Sequence, residues 1–190
     1  MHDEDTSYSA VAAAGPDDGF AAGSTCSPKC AGILATTDDG GAAWSLESTG
    51  RVLGVQLEFA SASDGFLLGY TSSSPPCGSG LSPCDVLLST VDSGRHWSSV
   101  RGGLAPIWSM AFVSPYVGVV AVDTCKESSK LPVPPAPCGG RIELTLDAGK
   151  RWATVLRTSA PIITLAHLPG RYGRSRRARR RTTFRQPRAG

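Results

Sequence analysis

The stretch TDDGGAAW, from Thr37 to Trp44, places two adjacent carboxylates beside two glycines and a tryptophan. Asp38 and Asp39 are the kind of acid pair that can bind a divalent metal ion or act as a general acid and a general base. The organisation of the rest of the chain decides whether such a pair does chemistry or holds a turn.

The same eight-residue pattern occurs twice more, as TVDSGRHW and as TLDAGKRW. In each copy, called a box below, Thr is followed by Asp at the third position, Gly at the fifth and Trp at the eighth. Asp38 is replaced by Val91 and Leu146, so the acid pair belongs to one copy and the shared acid is interpreted as structural. The box residues are Thr37, Asp39, Gly41 and Trp44; Thr90, Asp92, Gly94 and Trp97; and Thr145, Asp147, Gly149 and Trp152.

The boxes mark a longer repeat, because the three tryptophans lie 53 and 55 residues apart. Eleven residues after each one a strand-like segment begins, at Val55, Trp108 and Ile163. Further short apolar segments, separated by Gly, Pro, Ser and Asp, give four strands per unit. A unit of this kind cannot bury both faces of its sheet alone, and the spacing predicts an all-β fold, a β-propeller of four-stranded antiparallel blades.

The predicted blades span residues 8–54, 55–107 and 108–162, and residues 163–168 would start a fourth. Three blades are fewer than the roughly four to eight of a closed propeller, which indicates an incomplete ring. Apolar sheet faces left open in this way favour self-association.

In this arrangement the box forms the turn between the third and fourth strands. The Asp carboxylate would accept hydrogen bonds from nearby backbone N–H groups, and the Gly would supply backbone freedom. Trp44, Trp97 and Trp152 would begin the outer strands and pack between blades.

The repeated Thr-x-Asp-x-Gly-x-x-Trp pattern resembles the Asp-box, or BNR repeat, of the sialidase-like β-propeller superfamily. The segments FASASDGFLLGY and ILATTDDGGAAW are similar to the repeat of the photosystem II assembly and stability factor family. The resemblance covers residues from about 8 to 168. It implies the propeller fold, with functions that range from glycosidases to sorting receptors and non-catalytic assembly factors.

The charge of the chain is divided between two different parts. Residues 1–170 carry 10 Lys and Arg against 16 Asp and Glu, whereas residues 171–190 carry nine Arg and no acid. The Arg-rich tail, residues 169–190, and the N-terminal residues 1–7 are predicted to be disordered. The tail is either an arm for an anionic partner or a product of truncation or frameshift with no evolved role. A nucleic-acid partner is disfavoured, since only Tyr172 and Phe184 are available for stacking.

The six cysteines fall two to a repeat, on either side of the loop between the second and third strands. Cys26–Cys30, Cys77–Cys84 and Cys125–Cys138 are the predicted disulfides, and zinc is the rival hypothesis. The spacings differ in each copy and no histidine lies in the loops, so no metal is expected. Paired cysteines indicate a secreted or cell-envelope protein. The chain begins without a recognisable secretory leader and contains no run of about 18 apolar residues.

The cysteine loops and the boxes lie at opposite ends of the predicted blades. In sialidase-like propellers the ligand face is the one opposite the boxes, and loops on a rigid scaffold commonly carry binding residues. A protein or glycan ligand is therefore expected on the loop face. Its candidate contact residues are Lys29, Trp108, Lys126, Glu127 and Lys130.

Catalysis has weaker support in the sequence. Sialidase-like chemistry needs clustered arginines, a nucleophile and an acid. Arg95 and Arg151 lie inside boxes, the Arg-Ile-Pro start motif typical of sialidases is missing, and Tyr70 and Tyr116 have no evident acid partner. No catalytic residue and no cofactor is therefore predicted. The favoured function is a non-catalytic binding or assembly scaffold, and the alternative is a truncated glycoside hydrolase.

Overall fold

The computed structural model describes residues 6–26, 29–50, 52–71, 84–102, 107–124 and 139–166. These residues form three four-stranded antiparallel sheets, each with its strands in chain order. The first sheet contains β1 (Thr6–Ala13), β2 (Gly19–Cys26), β3 (Cys30–Thr37) and β4 (Ser45–Gly50). The second contains β5 (Val52–Phe59), β6 (Gly65–Thr71), β7 (Cys84–Thr90) and β8 (Ser98–Gly102). The third contains β9 (Ile107–Phe112), β10 (Gly118–Asp123), β11 (Gly140–Thr145) and β12 (Ala153–Thr158).

The middle strands form because their side chains are covered on both faces of the sheet. In β6, GFLLGYT, the first five residues are all buried, which explains why its sequence reads as one apolar run rather than an alternation. The outer strands β4 and β12 are exposed along nearly their whole length. Each sheet is therefore buried at its middle strands and exposed to solvent at its outer strand.

Two apolar cores hold neighbouring sheets together. Phe20, Ala22 and Leu34 of the first sheet pack with Val52, Leu57, Leu67 and Leu88 of the second. Phe66, Leu68 and Leu87 of the second sheet pack with a matching set from the third: Ile107, Met110, Phe112, Val120 and Val122. The second sheet thus contributes one face to each core, as expected for stacked blades.

The first strands of successive sheets are also joined through side chains. The Gln56 amide donates to the carbonyl of Met110 at 2.9 Å and accepts from its N–H at 3.0 Å. One repeat later, Ser109 occupies the position of Gln56, and its hydroxyl accepts from the N–H of Leu165 at 3.0 Å. Ser9 likewise donates to the Gly54 carbonyl. A recurring bond therefore links each first strand to the chain that follows it.

Two sequence predictions about the ends need correction. β1 already begins at Thr6, because Thr6 and Ser7 pair with Thr25 and Ser24, within the segment predicted to be disordered. The segment at Ile163, predicted to start a fourth blade, is not a strand over residues 161–166. Leu165 contacts Ser109 as the next first strand would, but the described chain contains no second strand of that blade for it to pair with. The predicted tail, residues 169–190, lies outside the described residues.

Candidate binding surface

Each box forms the same hydrogen-bonded turn between the third and fourth strands. The Thr hydroxyl donates to the Asp carboxylate at 2.7, 2.8 and 3.0 Å in the three copies. The same hydroxyl accepts the N–H of the box glycine at 3.0, 3.0 and 2.8 Å. The carboxylate in turn accepts the N–H of Ala43, His96 or Arg151, at 2.8 to 3.0 Å. The box carboxylate therefore accepts its hydrogen bonds from groups of its own turn.

These bonds keep the box carboxylates ionised. The backbone N–H of His96, the His96 ring and the Thr90 hydroxyl together lower the pKa of Asp92 to about 2. Hydrogen bonds from Ala43 and Thr37 lower the pKa of Asp39, and the N–H of Arg151 is the main cause of the lowered pKa of Asp147. A carboxyl with a lowered pKa is a poor general acid near neutral pH, so Asp39 is not suited to be the acid of the pair in TDDGGAAW.

The box turn needs left-handed backbone at two successive positions. The box glycines Gly41, Gly94 and Gly149 have φ of 92°, 84° and 82°. The residue before each glycine is also left-handed, although in two copies it is Ser93 or Ala148, with φ of 61° and 60°. Sequence reasoning identified the glycine and missed its neighbour, because Ser and Ala carry no signal of that conformation.

The box tryptophans do not share one environment. Trp97 and Trp152 pack against the two inter-sheet cores, where each meets a phenylalanine edge to face, Phe59 and Phe112 respectively. Trp44, also predicted to pack between blades, is 51% exposed. The correction has a simple cause, since no sheet precedes the first one in the described chain and no described residue takes its place beside Trp44.

At the opposite end of the sheets, the loop between β2 and β3 is closed by a disulfide between Cys26 and Cys30. Lys29, in that loop, is exposed. Cys77, Cys125 and Cys138 lie outside the described residues, as do Lys126, Glu127 and Lys130, and the side chain of Cys84 is not described. The other two predicted disulfides and most of the predicted charged contacts therefore stay predictions.

Trp108 lies at this loop end, near the start of the first strand of the third sheet, and its side chain is 53% exposed. It occupies a β-bulge, because Ile107 and Ser109 pair with consecutive residues of β10 while Trp108 pairs with none. Its indole N–H donates to the carboxylate of Asp123 at 3.2 Å. The bulged positions of the other two first strands are Ser9 and Val55. The structure thus presents a large aromatic surface held in one orientation.

Two carboxylates near Trp108 were missed by sequence reasoning. Asp123 is buried beside the indole, and Asp85 accepts the N–H of Ile107 at 2.9 Å. Burial raises the pKa of Asp85, against the opposing effect of that hydrogen bond. Their positions in the sequence could have indicated them, because each lies beside a cysteine of the predicted loop end. Asp85 follows Cys84 directly, and Asp123 precedes Cys125 by two residues. These carboxylates orient the strand and the indole rather than forming a reactive pair.

The described residues also bear on metal, membrane and anion binding. Within those ranges no group of three or more His, Cys, Asp and Glu is placed to hold a metal ion. The described part of the chain likewise contains no helix that is long and apolar enough to cross a membrane. Arg141, one of the arginines available for an anionic substrate, is paired with Glu143 at 2.5 Å and partly buried.

Comparison with solved structures identifies the fold. No protein-family model and no curated protein matches the chain. The structure of YCF48 bound to D1 peptide matches 79% of this chain at 18% sequence identity, with a TM-score of 0.51, and 40% of that chain is covered. YCF48 from Cyanidioschyzon merolae matches 80% of this chain at 16% identity, with a TM-score of 0.50, and 41% of that chain is covered.

These neighbours are propeller proteins, and the predicted fold class is confirmed: the three sheets are blades of a β-propeller. The chain spans about two fifths of the length of the structures it matches. At this level of identity the likeness establishes the fold alone.

Proposed function

We propose that this chain is a non-catalytic binding or assembly propeller and that its ligand is a protein segment bound at the loop end. The observation that carries the proposal is Trp108, half-exposed on the innermost strand of its blade and fixed by Asp123. Large, oriented aromatic side chains are the commonest anchors of protein interfaces, because they bury much apolar area at little cost in conformational entropy.

A solved neighbour favours a peptide over a glycan as the ligand. YCF48 was determined bound to D1 peptide, and it shares the blade architecture of this chain. This structural similarity supports the proposal, made first from the sequence repeat, that the chain is similar to photosystem II assembly factors. The three equivalent turns support the further proposal that the boxes are Asp-box repeats, since each uses the same Thr, Asp and Gly hydrogen bonds.

The contacts of the acids argue against a hydrolase. Most glycoside hydrolases use one carboxyl that is protonated near neutral pH and a second carboxylate about 5 to 10 Å away, and sialidases keep the acid but use a Tyr nucleophile. The box carboxylates have lowered pKa values and are occupied by backbone N–H groups. Among the described residues the one carboxyl with a raised pKa, Asp85, has its carboxylate engaged by the N–H of Ile107.

We also propose that the protein works outside the reducing cytosol, in the cell envelope or after secretion. The disulfide between Cys26 and Cys30 supports this location, since such bonds persist in oxidising compartments.

The binding proposal is tested with the D1 peptide as the probe, labelled with fluorescein and titrated with the full chain by fluorescence anisotropy. Trp108→Ala should weaken binding at least tenfold, because it removes the exposed anchor without touching the two cores. Tyr116→Ala is the matched control: Tyr116 is an exposed aromatic on the same blade, in the turn between β9 and β10 at the other end of the sheet.

Equal loss in the two variants, or unchanged binding by Trp108→Ala, would place the peptide elsewhere and contradict the proposed surface. Failure of the unaltered chain to bind the peptide would contradict the choice of ligand.

A further inference from the structure

A pocket lies at the box end of the first blade, at the opposite end of the sheets from Trp108. Its volume is ≈ 170 Å³, and its wall includes Ala13, Gly19, Thr37 and Trp44. A cavity of about 150 Å³ is large enough to hold one benzene-sized ring. The pocket is therefore the size of an aromatic side chain.

The pocket exists because the first blade lacks a ring that the other two possess. Phe59 and Phe112 occupy the last position of their first strands, opposite Gly65 and Gly118, and the equivalent residue in the first blade is Ala13, opposite Gly19. Each phenylalanine packs edge to face on the tryptophan of its own box. Trp44 has no such partner from its own blade, since Ala13 is too short to reach it.

The glycines opposite these positions show how closely the ring approaches. A Cβ added at Gly65 would lie 2.7 Å from the ring of Phe59, and one added at Gly118 would lie even closer to the ring of Phe112. At Gly19 the same added atom would meet Trp44 at 3.4 Å and Thr37 at 2.9 Å instead. The first blade thus keeps the glycine that admits a ring but supplies no ring of its own.

Acidic side chains border the pocket on one side. Asp17 and Asp18 lie in the turn between β1 and β2 and contribute to its wall. That turn is fixed by the backbone, because the Asp17 carbonyl accepts the N–H of Gly40 at 3.0 Å and the Asp18 carbonyl accepts the N–H of Ala14 at 3.1 Å. An aromatic side chain beside a basic residue would complement both the shape and the charge.

We propose that the pocket beside Trp44 binds Phe184, from the Arg-rich tail of this same chain. Phe184 supplies the missing ring and packs edge to face on Trp44, as Phe59 does on Trp97. Arg181 and Arg185 flank it in the segment RTTFRQPR and pair with Asp17 and Asp18. The charges of the two parts complement each other, since residues 1–170 are acidic overall and the tail holds nine arginines.

The tail is long enough to reach. Phe184 lies 18 residues beyond Ala166, the last described residue, and an extended chain of that length spans at most about 60 Å. A folded chain of this size has a radius of gyration of about 15 Å. Ordering a basic segment on binding is also a common behaviour of arginine-rich sequences.

The test uses the full chain and a fluorescein-labelled peptide of residues 181–188, RTTFRQPR, measured by fluorescence anisotropy. The peptide should bind Phe184→Ala at least tenfold more tightly than the unaltered chain, because the variant vacates the pocket. Adding Ala13→Phe to Phe184→Ala should weaken binding at least tenfold, since the new ring fills the pocket as Phe59 and Phe112 fill theirs. Glu47→Gln, on the outer strand of the same blade, is the control in that background and should leave binding unchanged.

A thermal melt distinguishes a filled pocket from an unfolded blade, because Ala13→Phe should keep or raise the melting temperature. Equal binding to the unaltered chain and to Phe184→Ala would show that the tail does not occupy the pocket. Unchanged affinity in the Ala13→Phe double variant would exclude the pocket itself. A control peptide in which Ala replaces Phe should bind more weakly. Equal binding of the two peptides would show that the arginines alone account for the affinity, and it would also overturn the proposal. None of these readouts depends on binding at the loop end, so the proposed function can fail or hold separately.

Discussion

The threonine of each box is the residue on which the turn depends, because one hydroxyl joins the Asp carboxylate to the Gly backbone. In the third box Thr145 is only 1% exposed, so these bonds form away from water. The aspartate side of the same network is exposed to solvent and titrates, which makes the turn sensitive to acid.

We predict that the stability of the fold decreases as the pH falls from about 4 to about 2. The pKa of Asp92 is lowered from 3.8 to about 2, and the pKa values of Asp39 and Asp147 are lowered as well. A carboxyl with a lowered folded-state pKa contributes stability above its unfolded-state pKa and loses that contribution as the pH falls through its folded-state pKa. Urea denaturation at a series of pH values measures the effect.

Asp92→Asn should flatten this dependence, whereas Asp38→Asn, which changes the neighbouring acid of the first box, should leave it unchanged. An equally steep dependence in Asp92→Asn and in the unaltered chain would contradict the contribution of Asp92.

At the scale of the strands, aromatic residues couple each blade to the one before it. Phe59 stacks on Phe20 at a centroid distance of 3.7 Å, and Phe112 stacks on Phe66 at 3.4 Å. Each ring also meets a box tryptophan, so the last residue of a first strand links three elements: its own sheet, the preceding sheet and the box.

We predict that Phe112→Ala lowers the free energy of unfolding by about 3–5 kcal/mol, since Phe112 is fully buried and its loss leaves a cavity between two blades. Denaturant unfolding followed by tryptophan fluorescence measures it, and Trp152 reports locally. Val113→Ala, at the exposed residue next to it, should change the same free energy by no more than about 0.5 kcal/mol. A loss below about 1 kcal/mol in Phe112→Ala would contradict the coupling described here.

At the scale of the whole molecule, the first and third blades each present one sheet face that no neighbouring blade covers in the described chain. On the first blade Val11, Ala21, Ala35 and Leu46 stand opposite one another across the sheet. Val11 and Leu46 are 77% and 66% exposed, on the face away from the core shared with the second blade. Faces of this kind bury apolar area by association.

We predict that the chain self-associates at micromolar concentration, which sedimentation velocity would show as a concentration-dependent increase in mass. Leu46→Glu should weaken the association at least tenfold by placing a charge in the open face. Val91→Glu, at an exposed position of the second box turn, is the matched control. A monomer at all concentrations tested would contradict the prediction.

The sequence by itself determined the repeat, and with it the fold. A Thr, an Asp and a Gly at constant spacing indicate the same hydrogen-bonded turn in each repeat. The apolar strands of each repeat bury both faces of their sheet by packing against the sheets of neighbouring repeats. The box hydrogen bonds, the strand order and the Cys26–Cys30 pairing could all be anticipated from local pattern, because each depends on residues close in the chain. Where the local pattern was incomplete, as at Ser93 and Ala148, even the turn was only partly predictable.

Only the tertiary structure decided which equivalent residues have different environments. Trp44, Trp97 and Trp152 are identical in the sequence pattern, but their burial depends on a preceding blade, and the described chain contains none before Trp44. The exposure of Trp108, its bond to Asp123 and the pocket left by Ala13 depend on contacts between strands and blades that are far apart in the chain. A local pattern specifies a turn or a strand through bonds to near neighbours, whereas a binding surface is set by which distant faces meet.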